Sequence, residues 1–151
     1  MTSADRNHSN LLSGAALTVF RLNGQLLSVA EGLARPVGLT AARWQVLGAV
    51  TDEPLTVSAI ARRFGISRQS VQRMADLLVD QGMAEYRPNP AHSRAKLLAL
   101  TEQGVAAMRR IRPDHARVAD ALVDELGEEE TERALESLRL LSQALDRIGE
   151  S

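Results

Sequence analysis

Residues 56–82 read TVSAIARRFGISRQSVQRMADLLVDQG, and the punctuation of this stretch decides the fold. Thr56 stands where a helix N-cap is wanted, because its hydroxyl can accept a backbone N–H that the first turn leaves free. Val57, Ile60, Ala61 and Phe64 then recur at helical spacing, with Arg62 and Arg63 on the other side. Gly65 follows where a left-handed residue closes a helix without a Cβ penalty. Ile66 fills the turn, and Ser67 caps a second helix expected over residues 68–81. Its apolar face is Val71, Met74, Ala75, Leu78 and Val79. Its polar face carries Arg68, Gln69, Gln72, Arg73 and Asp76, and Gly82 ends it. A short helix, a glycine turn and a second helix with an exposed polar face form the helix-turn-helix pattern.

Downstream, residues 83–87 and 94–100 are each of strand length, with Pro-Asn-Pro-Ala-His-Ser between them. Pro88 and Pro90 lack N–H donors and cannot continue a central ladder, so this connection is expected to be an exposed hairpin tip. Arg94 then starts the second strand. A hairpin after the second helix turns the pattern into a winged helix. Upstream, Thr40 caps a helix carrying Trp44, Leu47 and Val50, and Asp52-Glu53-Pro54 ends it. Before that, Leu12, Ala16, Val19, Leu22, Leu26 and Val29 mark an amphipathic helix over 11–34, broken by Pro36 and Gly38. Gly14, Gly24 and Gly32 each weaken it by about 1 kcal/mol relative to Ala, so tertiary packing must hold it.

After the hairpin, Thr101-Glu102 opens a helix with Val105, Met108 and Ile111 on one face. Pro113 is expected to kink or break it. Val118, Leu122 and Leu126 resume the pattern, and Gly127 interrupts it. The last helix carries Ala134, Leu138, Leu141, Leu145 and Ile148, whose steps of four and three residues make a heptad-like seam. That seam reads as a dimer interface in preference to packing within one chain. The fold class is therefore mainly α with a small β-hairpin.

The 151 residues amount to about one domain. A chain of this size buries roughly 68–70% of its unfolded surface and needs no disulfide or metal to fold. It contains no cysteine, which excludes disulfide scaffolds, Cys–zinc and iron–sulfur sites and thiol nucleophiles. His8, His92 and His115 are not at metal-ligand spacing, so no metal and no cofactor are expected. No apolar run reaches a membrane span, and the polar start lacks a signal pattern, so the expected location is the cytoplasm, with no membrane partner. No nucleophile elbow, phosphate-binding loop or dinucleotide fingerprint is present, so an enzyme is not expected. Asp114 and His115 read as a helix-surface pair, and Glu128-Glu129-Glu130 as acids favoured at a helix N-terminus.

The net charge of −1 conceals a gradient. Residues 1–53 are neutral. Residues 54–100 hold seven basic residues against three acids, a net of +4, and residues 101–151 hold seven against twelve, a net of −5. Only the contacting surface of a nucleic-acid binder must be basic. A row of Arg and Gln on an exposed helix can read base edges in the major groove, Arg pairing with guanine and Gln with adenine. Arg68, Gln69, Gln72 and Arg73 are the expected base readers. Thr56, Ser58, Ser67 and Ser70, with nearby helix N-terminal N–H groups, suit phosphates. Double-stranded DNA is the expected partner; the alternative is a winged helix used as a protein-interaction module without an operator.

From Leu39 to Gly104 the chain resembles the MarR family of bacterial transcription regulators. The ordered features are Leu39-Thr40 with Trp44 and Leu47, then Ile60-Ala61 with Gly65-Ile66-Ser67-Arg68. Ser70-Val71, Arg73 and Leu77-Leu78 follow, then Gly82, Glu85 and the Pro88-Asn89-Pro90 tip. Arg94-Ala95-Lys96-Leu97 and Leu100-Thr101 with Gly104 complete the set. The resemblance implies a homodimer built from helices in 11–35 and 101–151, with residues 39–100 as the winged helix-turn-helix. Leu12 and Val19 would join the C-terminal seam in that interface. It implies that wing arginines, here Arg94, reach the minor groove; Lys96 belongs to the same wing. It also implies a repressor of a pseudo-palindromic operator, with release by a small aromatic or apolar effector. Leu22, Leu26, Trp44, Leu47 and Met108 suit an apolar pocket, and each is equally good core. One departure stands out: the family wing usually reads Asp-Arg-Arg, and here it is His92-Ser93-Arg94. His92 either replaces the missing acid as a hydrogen-bonding brace, touches a phosphate, or is an exposed loop histidine.

Overall fold

The computed structural model describes residues 1–150 and places α1 (Ser3–Ala34), α2 (Ala41–Ala49), β1 (Leu55–Thr56), α3 (Val57–Phe64) and α4 (Arg68–Asp80) in chain order. They are followed by β2 (Ala84–Arg87), β3 (Leu97–Leu100), α5 (Glu102–Leu126) and α6 (Glu128–Gly149). The chain forms two compact units, residues 1–111 and residues 112–151. Among the described residues no helix is long and apolar enough to cross a membrane.

Helix α1 starts at Ser3, earlier than the expected residue 11, because Thr2 and Asp5 form a capping box. The Asp5 N–H donates to the Thr2 hydroxyl at 3.0 Å, and the Thr2 N–H donates to the Asp5 carboxylate at 2.9 Å. A 3-10 turn at Arg35–Val37 and the left-handed Gly38 (φ 77°) reverse the chain into α2. The Thr40 hydroxyl accepts from the Arg43 N–H at 3.2 Å, and the Glu31 carboxylate on α1 accepts from the Ala41 N–H at 2.9 Å. Two otherwise orphaned donors of α2 are thereby satisfied, and α1 is tied to α2.

Thr56 caps α3, Gly65 closes it at φ 65°, and Ser67 caps α4. The inward face of α4 is Val71, Ala75 and Leu78, all buried, packed with Leu47, Ile60 and Leu98. No charged or polar residue is buried among the described residues. The sheet has three strands where a two-stranded hairpin was expected. The order is β1-β3-β2, antiparallel, with Leu55 opposite Leu98 and Tyr86 opposite Leu98 on the other edge. Strand β1 is two residues long and is defined only by its partner, so no local pattern announces it. The hairpin ladder is confined to 84–87 and 97–100, so Arg94 lies in the loop and not at the start of the second strand. Within that loop Asn89 folds the tip back: its side-chain oxygen accepts from the Ala91 N–H and its carbonyl from the His92 N–H.

Helix α5 begins against the sheet through Gly104, where a Cβ would stand 2.0 Å from the Met83 carbonyl oxygen. It runs through Pro113 without a break. Arg109, whose carbonyl loses its helical donor there, is exposed, so water can serve that carbonyl. In the second unit, α6 buries none of its residues. Its acidic first turn is partnered by Arg133, which reaches Glu129 and Glu130 at 3.2 and 2.8 Å.

Candidate nucleic-acid interface

The two hydroxyl caps are partly consumed by the fold. The Thr56 hydroxyl oxygen accepts from the Ala59 N–H at 3.1 Å. The Ser67 oxygen accepts from the Ser70 N–H at 3.1 Å and its proton goes to the Ser70 oxygen at 2.9 Å. Ser70 keeps its own proton as a donor toward solvent, so it is better placed than Ser67 to meet a phosphate.

A cleft of about 300 Å³ opens between the start of α3, the first turns of α4, β2 and the loop before β3. It brings together Thr56, Ser58, Arg68, Gln72, Arg94 and Lys96 from the expected set, and adds Tyr86. Gln69 and Arg73 are exposed on α4 outside this cleft; the exposed cap Ser67 and the half-buried Ser70 also lie outside it. Among the described residues Arg68, Arg73, Arg94 and Lys96 enter no ion pair, whereas Arg87 is held by Glu85 at 2.9 Å. Four cations thus face solvent outside any ion pair, although Asp76 lies one turn from Arg73 on α4. His92 is exposed in the loop, and no hydrogen bond of its imidazole is found among the described residues.

Tyr86 was not among the residues singled out from sequence. Its hydroxyl donates to Asp76 Oδ1, and Gln72 Nε2 donates to the same oxygen at 3.0 Å and to the Tyr86 hydroxyl at 2.8 Å. Two exposed α4 residues are thereby tied to a wing strand. The donated hydrogen bond from Tyr86, and then that from Gln72, hold the Asp76 carboxyl below its ordinary 3.8. Burial first, then the proximity of Asp76, push the Tyr86 phenol well above its ordinary range. A period-2 reading of β2 offered the available signal: Tyr86 shares a face with buried Ala84, while Glu85 points outward.

A second cavity of about 580 Å³ lies among α1, α2, α3 and α5. Leu26, Trp44 and Met108 line it with Leu27 and Phe64. Leu22 and Leu47 do not: Leu47 is fully buried in the core, and the same helical spacing serves both fates. Arg63 also reaches the cavity and donates to the Ala49 carbonyl at 3.4 Å. Among the described residues no group of His, Asp and Glu could hold a metal ion.

A glycine-turned helix pair, a three-stranded sheet and a long loop beside the exposed polar face of α4 define a winged helix-turn-helix protein. Residues 37–95 match the model of the MarR family. The uncharacterized protein Rv2011c of Mycobacterium tuberculosis is 42% identical over 127 residues, spanning 84% of this chain and 89% of that protein. Sco5413, a MarR family transcriptional regulator from Streptomyces coelicolor, superposes with a TM-score of 0.74 at 29% identity, covering 89% of this chain and 96% of its own. The transcriptional repressor CouR, bound to a 23-mer DNA duplex, gives 0.75 at 27% identity, with 83% and 89% covered. The chain belongs to the MarR family of transcription regulators.

Proposed function

We propose that this regulator binds a pseudo-palindromic operator as a homodimer and represses transcription until a small aromatic or apolar molecule releases it. The observation that carries the DNA contact is the set of exposed cations Arg68, Arg73, Arg94 and Lys96, outside any ion pair, on α4 and the loop beside it. Arg68, Gln69, Gln72 and Arg73 read base edges, Ser58 and Ser70 contact phosphates, and Arg94 and Lys96 extend toward the minor groove. The likeness to CouR, solved on duplex DNA, supports the same use of the fold here.

Self-association is supported by apolar side chains left in water. On α1, Leu12 and Val19 are 67% and 41% exposed; on α6, Leu138, Leu141, Leu145 and Ile148 are 39–67% exposed, and Ala134 is exposed too. Such a length of apolar surface is a liability for a monomer. In this reading the 11–35 and 101–151 helices dimerise and residues 39–100 meet DNA. Effector release is supported by the apolar 580 Å³ cavity, which is of ordinary size for a small-ligand site.

Binding of the full chain to random duplex pools, followed by recovery and sequencing of the bound fraction, tests the proposal. The expected product is a motif with two inverted half-sites, and an affinity for it that falls steeply with salt as counterions are released. No enriched motif together with salt-independent behaviour would leave the fold as a protein-interaction module.

A further inference from the structure

Gln72 lies on the exposed face of α4, yet its amide is held. Nε2 donates to the Tyr86 hydroxyl at 2.8 Å and to Asp76 Oδ1 at 3.0 Å, and those two oxygens are themselves hydrogen-bonded to each other. Acceptors that close together subtend at Nε2 an angle well below the one separating the two N–H bonds of a planar amide nitrogen. One N–H therefore serves both, and the other N–H and Oε1 remain available. The carboxylate of Asp76 only accepts, so turning the amide over would set Oε1 against a negative oxygen; the network fixes which end donates. An amide engaged through the N–H trans to its oxygen keeps one donor beside one acceptor, and that edge matches N7 and N6 of adenine.

We propose that Tyr86 is a positioning residue for sequence reading: through its hydroxyl and Asp76 it presents Gln72 to an adenine in the major groove, so strand β2 helps to set what α4 recognises. The inference rests on the DNA-reading role of α4 proposed above. Its physical content is preorganisation. A free Gln loses rotamer entropy on each contact, and one already held in place loses less. Tyr86 can donate to Asp76 at neutral pH because its phenol stays protonated.

The test compares motifs selected from random duplexes, at one salt concentration, by the full-length wild type and its Gln72→Ala, Tyr86→Phe, Asp76→Ala and Arg68→Ala variants. Tyr86→Phe keeps the ring that packs on the core and removes only the hydroxyl. Asp76 is exposed, so its truncation leaves the fold intact. Gln72→Ala is expected to erase an adenine preference at one position per half-site. Tyr86→Phe and Asp76→Ala are expected to weaken that same preference about tenfold, leaving the Arg68-dependent position unchanged. Even loss of affinity at every position, or an unaltered preference, overturns the inference. So does tighter and sharper binding, which would mean the network withholds Gln72, and so does a Gln72-dependent position that is not adenine. If the wild type enriches no motif, the DNA-reading role itself fails and this inference with it.

Discussion

Arg68, Arg73 and Arg94 are chemically alike but are held in different ways, and their substitutions separate those roles. Arg68 and Arg73 project from a capped, core-packed helix, so each can be aimed at one base. Arg68→Ala and Arg73→Ala are each expected to cost about 1–3 kcal/mol of operator affinity and to relax preference at one position per half-site, read by titrating a panel of single-base operator variants. Equal losses on operator and random DNA would remove them from base reading. Arg94 sits in a loop bounded by Pro88, Pro90 and the Asn89 turn. Arg94→Ala is expected to leave the fold intact and to lower the slope of log affinity against log salt by about one ion-equivalent. The loss should be larger where the flanks are A·T-rich, since a narrow minor groove attracts Arg. An unchanged slope on both flank types would return Arg94 to an ordinary solvated side chain. Gly104 makes the opposite kind of demand. Gly104→Ala places a Cβ on the Met83 carbonyl and is expected to destabilise the unit by about 1–3 kcal/mol in a thermal or urea melt, with affinity falling only as the folded fraction falls.

Elements that are written locally in the chain could be read from it, and those written by their partners could not. Thr40, Thr56 and Ser67 cap, and Gly65 and Gly82 terminate, through bonds that span a few residues, and each stands where its side-chain chemistry put it. The Thr2–Asp5 box is equally local but lies in a polar start without apolar periodicity, so periodicity alone places the helix start later. Strand β1 exists only because β3 runs beside it. Tyr86 acquires its role from Gln72 and Asp76, residues 14 and 10 positions away, and Leu47 is core while Trp44 lines a cavity on the same helix. The α4 cap offers a check at this scale: Ser67→Ala is expected to cost about 1 kcal/mol of stability in denaturant titration. The network below it has a defined pH range. Asp76 is depressed, so its contribution is present above the ordinary carboxylate range and is lost as pH falls through that lowered value. Tyr86 is raised, so its contribution is present below the ordinary phenol range and is lost only as pH rises beyond it. Base preference at the Gln72 position should therefore stay constant between pH 6 and 8, as measured on the operator panel.

At the scale of the molecule, the proposed function rests on a modest charge segregation and on exposed apolar helix faces. Residues 54–100 carry the positive balance, and residues 101–151 carry the acids together with the seam of Leu138, Leu141, Leu145 and Ile148. Deleting the chain from Ala134 onward is expected to give monomers or aggregates and to abolish operator binding, as followed by sedimentation and titration. A truncated chain that stays a folded dimer would move the interface elsewhere. The most direct measurement is the ratio of the wild-type protein's affinities for its selected duplex and for a base-scrambled duplex of the same length, taken at one physiological salt concentration. Sequence-specific regulation requires the selected duplex to bind at least ~10³-fold tighter. A ratio near one would contradict it and leave only the electrostatic attraction that a basic segment such as residues 54–100 has for DNA.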